Sequence, residues 1–408
     1  MLAVMTTVRR ALGLAFSVAL VGACQSLVGI EDSPPLSSEG GTGGAGGAGG
    51  AAGPGGSAGD AAPGGSGGSG GTEGGADAGC PLAQPPGPPT SAAPGGDTEV
   101  VVAVRQVDFG DQTDAIGPTW QRIGYDLDKL CTCTGDTAGS CKGPKKTLCD
   151  GHEGRDNALG EFLYQIRNVF KITEASSEQL SQKIETGTNT ILIKISGYNG
   201  TPDDAAVEVT WYASADFDMT NPTPPKWDGT DTWSVLSTSL QPQAGADGGA
   251  EYDVAHPKYV DKLAYVTQGT LTASLPAGSF ALATDQSIDF TAAFLTAKLV
   301  KKGSSYSMEE GVLAGITSVG QVLGALSSTK DPVTKKPLCT DNLLYGGVKN
   351  LVCGFPDMSV LGSPSKPCDH FSLGLKMRGE PAKLGPVTVN QLDPSPCAPG
   401  THPKDDSC

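Results

Sequence analysis

Residues 40–79 hold 21 glycines in 40 positions, set among Ala, Ser and Pro. A run of that composition cannot bury enough apolar surface to offset its chain entropy. A core is excluded there, and a disordered tether is expected. As flexible coil, such a segment has an r.m.s. span of about 35 Å. Its glycines are not a phosphate loop, because no Gly-Lys-Ser/Thr follows and no strand precedes them. What folds must lie C-terminal to the tether. The segment 97–397 is long enough for one large core or two modest ones.

Ahead of the tether stands a basic start, MLAVMTTVRR, then the apolar run 11–23. This is the layout of a secretory signal. Thirteen helical residues span about 20 Å, short of the ~30 Å hydrocarbon core, so a permanent transmembrane helix is disfavoured. Arg9-Arg10 raises the twin-arginine route, but Val8 and Leu12-Gly13 around the pair fit that signal poorly. The run ends in Val21-Gly22-Ala23-Cys24, which resembles the lipobox of bacterial lipoproteins. The resemblance implies cleavage before Cys24 and lipidation of its thiol and new amine. Two or more acyl chains give stable membrane attachment where one does not. Gln25, where enteric-type lipoproteins kept at the inner membrane carry Asp, leans the expected location toward the outer membrane.

Setting Cys24 aside resolves an odd cysteine count. Ten remain: Cys80, Cys131, Cys133, Cys141, Cys149, Cys339, Cys353, Cys368, Cys397 and Cys408. In an exported chain, five disulfides are expected, with connectivity open. Zinc is the weaker reading of the 131–149 cluster, since structural zinc sites use two close pairs and only Cys131-x-Cys133 is close.

Within the folded part, 98–107 reads as a β-branched strand. Leu159, Phe162, Leu163, Ile166, Val169 and Phe170 recur at helical spacing, with Asp156 as the expected N-cap. A second helix from Ser177 closes at Gly187. Strands are expected at 190–195 and 206–212, with a turn at Gly197-Tyr-Asn-Gly200 between them. A hairpin is expected to turn at Pro276-Ala-Gly278, and 288–300 reads as one long or broken strand. The apolar run Gly311–Leu326 reads as helical, and 340–352 as a short helix. Short strands punctuated by turns predict a mainly β, α+β domain: a disulfide-bonded β-sandwich with peripheral helices. The expected organisation is signal 1–23, lipidated start 24–39, tether 40–79, Pro-rich neck 80–96, β-rich domain 97–397 and tail 398–408.

The chemistry is sparse. A formal net charge of −16 argues against nucleic acid and against holding an anionic membrane by charge alone. His152-Glu153 lacks the second histidine of a zincin, and no Gly-x-Ser-x-Gly occurs in the domain. Glu251-x-Asp253 begins a glycosidase-like carboxylate pattern, but His256 stands where its third member belongs. Calcium is the candidate cofactor, through Asp108, Asp111 and Asp114 at spacing three and through Asp228 and Asp231 in an acidic turn. Trp227 and Trp233, beside carboxylates on one loop, are the candidate ligand contacts. They would stack on a sugar, or instead pack the core.

The lipobox, Cys24-Gln-Ser-Leu-Val-Gly-Ile-Glu-Asp32, the glycine tether, Gly154-Arg-Asp-Asn157 and Gly197-Tyr-Asn-Gly200 together resemble predicted lipoproteins of myxobacteria that have no assigned activity. The resemblance implies anchoring and location, not chemistry. The expected function is a membrane-anchored exported lipoprotein, held through Cys24, presenting a non-catalytic structural or binding domain at the cell envelope. Its expected partner is a carbohydrate or an envelope protein. The alternative is a glycosidase-like enzyme.

Overall fold

The β-branched run behind the neck forms β1 (Thr98–Asp108), the first wall of a barrel. The computed structural model describes residues 81–133, 139–144, 148–170, 176–217, 223–245, 249–283, 286–331, 333–360, 363–389 and 395–408. Residues 1–80, and with them the expected signal, Cys24, the expected tether and Cys80, lie outside the described residues. Eleven further strands follow: β2 (Ile191–Tyr198), β3 (Asp204–Ala213), β4 (Thr232–Leu236), β5 (Gln243–Ala244), β6 (Ala250–Glu251), β7 (Tyr259–Thr267), β8 (Thr270–Ala283), β9 (Gln286–Lys302), β10 (Ser305–Ser318), β11 (His370–Pro381) and β12 (Lys383–Thr388). The described α-helices are α1 (Ala158–Phe170), α2 (Ser177–Glu185), α3 (Val319–Ala325) and α4 (Tyr345–Val352).

Eight strands close on themselves in the order β1-β2-β3-β7-β8-β9-β10-β11, and β11 returns to β1. Every barrel pairing is antiparallel. The mainly β content is as expected, but the sandwich is not: the sheet closes on itself as an up-and-down barrel. Alternation fills its interior. Val100, Val102 and Val104, Ile191, Ile193 and Ile195, Val207, Val209 and Trp211, and Leu271, Leu295, Leu373 and Leu375 all belong to one core. Trp211 meets Phe290 edge-on at 5.3 Å between ring centres. Each fully buried side chain of this kind contributes about 1.5–3 kcal/mol. The outward positions carry ion pairs such as Lys194–Glu99, Lys298–Glu310 and Arg378–Glu309. Transmembrane barrels have the reverse arrangement, apolar outside and polar within.

In such a meander, alternate connections fall at opposite ends. One end has short connections: 199–203, 268–269 and 303–304. Gln268 and Gly269 both have positive φ, the twist a two-residue hairpin turn needs, and Gly303 opens the next turn at φ 60°. The other end carries three long insertions, 109–190, 214–258 and 319–369.

Two local expectations change. The chain does not turn at Pro276-Ala-Gly278, because β8 runs straight through. β7 pairs with β8 only from Tyr265↔Thr272 to Thr267↔Thr270. Beyond that, β8 has an open side, where a proline costs no ladder bond. There Asp261 accepts from the Ser274 N–H at 2.6 Å, and Trp211 Nε1 donates to the Ser279 carbonyl at 2.7 Å. Gly278 is required by its neighbour, since a Cβ there would come within 2.1 Å of the Phe290 ring. The run Gly311–Leu326 is also not one helix. β9 and β11 flank it and draw residues to Ser318 into β10, leaving only α3 beyond.

The insertions are built differently. In the first, α1 sends Phe162 into the barrel end, edge-on to Phe371 at 6.1 Å and Phe355 at 5.6 Å. The second, with β12 pairing parallel to β4, covers the outer face of β1–β3 and forms a smaller core around Leu192, Tyr212, Trp233, Val235 and Leu240. The third is stapled by Cys339–Cys397 and Cys353–Cys408. The tail 398–408 therefore belongs to the folded unit. Cys133–Cys149 lies within the first insertion, and Cys141–Cys368 ties the first insertion to the third. Cys131 is also disulfide-bonded, to a partner outside the described residues. The neck bonds the first insertion, through the Ala83 backbone to Glu153 and Asp126, and the barrel strand β7, through Tyr265 and Thr267 to the Pro86 and Gly87 carbonyls.

Candidate functional site

The turn Tyr125–Leu130 and the segment before α1 bring together carboxylates that lie far apart in sequence. Asp156 does not cap α1. Asn157 does: its Oδ1 accepts from the Gly160 N–H at 3.1 Å and from the Gly374 N–H of β11 at 2.8 Å. That bond pins the helix start to the barrel wall and turns Asp156 toward the Tyr125–Leu130 turn, where its Oδ2 accepts from the Leu127 N–H at 2.7 Å. Asp126 and Asp128 project from the same turn. One carboxylate oxygen of each of Asp126, Asp128 and Asp156 lies within 4.8 Å of the other two.

Two more acids stand around them. Asp150 accepts from the Thr132 N–H at 2.6 Å. Asp357, from the third insertion, accepts from the N–H and hydroxyl of Ser372, and the Ser372 oxygen accepts from the Ala158 N–H at 2.8 Å. Burial pushes the Asp126 carboxyl up to about 6 and that of Asp357 up to about 7. Burial raises Asp128 as well, and burial together with the neighbouring carboxylates raises Asp150 and Asp156. The direction is that of like charges held together away from water.

The five acids proposed from sequence are not brought together. Asp108 accepts from the Gly110 N–H at 2.8 Å. Asp111 is buried and bonds the Ser177 hydroxyl at 2.5 Å and Arg167 at 2.8 Å, joining α1 to α2. Asp114 pairs with Arg122 and accepts from the Ile116 and Gly117 N–H groups. Asp228 closes on Thr230, and Asp231 accepts from the Lys226 and Trp227 N–H groups. Each serves as a local turn or bridge.

Nor do the tryptophans form a sugar platform. Trp233 is fully buried in the smaller core. Trp227 packs on it at 5.6 Å and lies under the Arg105 guanidinium at 5.6 Å. Trp233 as a ligand contact is thus corrected to packing, because a buried ring has no free face. Glu251, Tyr252, Asp253 and His256 do converge, on an open cleft of about 510 Å³ beside Gly385 and Val387.

Neither known protein families, nor curated proteins, nor solved structures yield a match to this chain.

Proposed function

We propose that the chain is an exported lipoprotein, anchored in the membrane of the cell envelope through Cys24, that presents the barrel as a non-catalytic binding module. The observation that carries this reading is the build of the barrel. Its interior is filled with side chains rather than left as a calyx, and its elaboration lies in three long insertions, one of which covers the outer face of β1–β3. Eight-stranded barrels that hold a small ligand keep it inside; here the available surface is outside. Four disulfides among the described residues, one of them between insertions, suit an oxidising compartment. Cys131 is disulfide-bonded as well, and with Cys24 committed to lipid ten cysteines remain for five disulfides.

Intact-mass measurement of membrane-extracted protein tests the reading. The expected product begins at Cys24, carries acyl mass and has ten cysteines oxidised. A mature chain without added lipid mass, or one that partitions into the aqueous phase, overturns the anchor.

A second reading, carbohydrate binding or hydrolysis, has its support in the cleft of Glu251, Tyr252, Asp253 and His256. A glycan array with wild-type protein and with Asp253→Asn checks it. Binding lost in the variant at unchanged Tm supports it; no bound glycan ends it.

A further inference from the structure

Buried acids are normally paired or hold a cation. Among the described residues, neither the buried Asp126 and Asp156 nor the half-buried Asp128, Asp150 and Asp357 form an ion pair with Lys, Arg or His. One oxygen among them is left over. Asp126 is 3% exposed; its Oδ1 accepts from the Lys129 N–H at 2.6 Å, while its Oδ2 is buried with no hydrogen-bond partner. An unpaired buried acceptor is costly, and a charged one more so. The space it faces is held open by backbone. A Cβ on Gly154 would lie 3.5 Å from Asp126 Oδ2 and 3.0 Å from the Leu130 carbonyl oxygen, and Gly154 has φ +70°.

We propose that Asp126, Asp128 and Asp156 bind one calcium ion, with the Leu130 carbonyl as a further ligand. Oxygens on one calcium ion, each at 2.3–2.6 Å, lie at most about 5 Å apart. The three carboxylate oxygens meet that limit. The donors are all hard oxygens. The nearby Cys131 sulfur is in a disulfide and cannot serve as a thiolate, which disfavours zinc. Magnesium keeps most of its water and takes one or two carboxylates, whereas three carboxylates and a carbonyl suit calcium. The ion ties the Tyr125–Leu130 turn to the start of α1, and so holds the first insertion against the barrel. Its affinity class is that of extracellular modules, with a Kd of about 10⁻⁴–10⁻³ M. The site stands whether or not Cys24 is lipidated.

The test uses the full chain in detergent. It measures calcium binding by equilibrium dialysis and Tm in chelator, in calcium and in magnesium. One calcium per chain is expected, with a rise in Tm of about 5 °C at saturation and a smaller response to magnesium. Asp126→Asn should lose the calcium response and yet melt higher than wild type in chelator, because a repulsive charge is gone. A purely structural Asp126 predicts the opposite, a lower Tm in every buffer. Gly154→Ala should weaken calcium binding at least tenfold by filling the space. Wild type that binds no calcium at millimolar concentration overturns the proposal. So does Asp126→Asn with the full calcium shift. If Asp126→Asn does not fold, the wild-type stoichiometry decides alone.

Discussion

The two ends of the barrel solve the same problem in different ways. At the short-turn end, register is set by local backbone geometry: Gln268 and Gly269 at positive φ, Gly303 opening the next turn, and Asp204 accepting from the Asn199 N–H. At the other end, long segments must be held without strands of their own in the barrel. They use a ring driven into the core, a cap bonded across to β11, and a disulfide between insertions. One end is specified by neighbours in sequence, the other by residues hundreds of positions apart.

The comparison can be stressed most strongly at Phe162. Phe162→Ala removes the ring that plugs the barrel and should cost about 3–5 kcal/mol in urea unfolding. A loss below 1 kcal/mol would mean that α1 merely rests on the surface. Next comes the cross-link. The double variant Cys141→Ser, Cys368→Ser should lose about 2–4 kcal/mol. Hydrogen exchange should rise in 109–157 and 319–369 but not at 199–203 or 303–304; an equal rise at both ends would erase the distinction. The third effect depends on pH. Asp357 has its pKa raised to about 7 from 3.8, so the folded state binds its proton more tightly than the unfolded state. Its stabilising contribution is then full below about pH 4 and is lost as pH rises toward 7. In chelator, Tm should fall over that window, and Asp357→Asn should flatten the fall. The smallest effects have opposite signs. Gly269→Ala, at φ +79° in the hairpin turn, should cost about 1 kcal/mol. Gly347→Ala, within α4 and with open space around it, should gain about 0.5–1 kcal/mol. Thermal unfolding of the pair reads both.

Legibility in the sequence follows the same division. β1, α1, α2, β2 and β3 could be read because their periodicity and turn residues lie within a dozen positions of one another. Closure could not: the same short strands suit a sandwich, and only the pairing of Val102 with Pro381 and Val107 with Met377 makes a barrel. Pro276 and Gly278 misled because turn-forming residues are tolerated in a strand whose neighbour has moved away. Gly311–Leu326 misled because its apolar residues face the core from a strand and then from a helix. The carboxylate cluster was missed for the same reason as closure. Asp126-x-Asp128 was visible, but Asp156 looked like a cap, and Asp357 reaches the cluster only through the fold. Acids at short spacing drew the eye instead: Asp108 and Asp114 proved to be local turn builders and Asp111 a bridge between α1 and α2.

The meander order of the barrel also sets a timetable. Each wall strand from β1 to β11 pairs with the next wall strand along the chain, so most of the sheet can zip in chain order. β1 is the exception: one of its two edges waits for β11, the last wall strand to arrive. Cys133 and Cys149 can find each other long before Cys368 exists to meet Cys141. A chain delivered from its N-terminus therefore carries a half-paired first strand and an unmatched Cys141 until its last wall strand arrives. The final strand settles both at once.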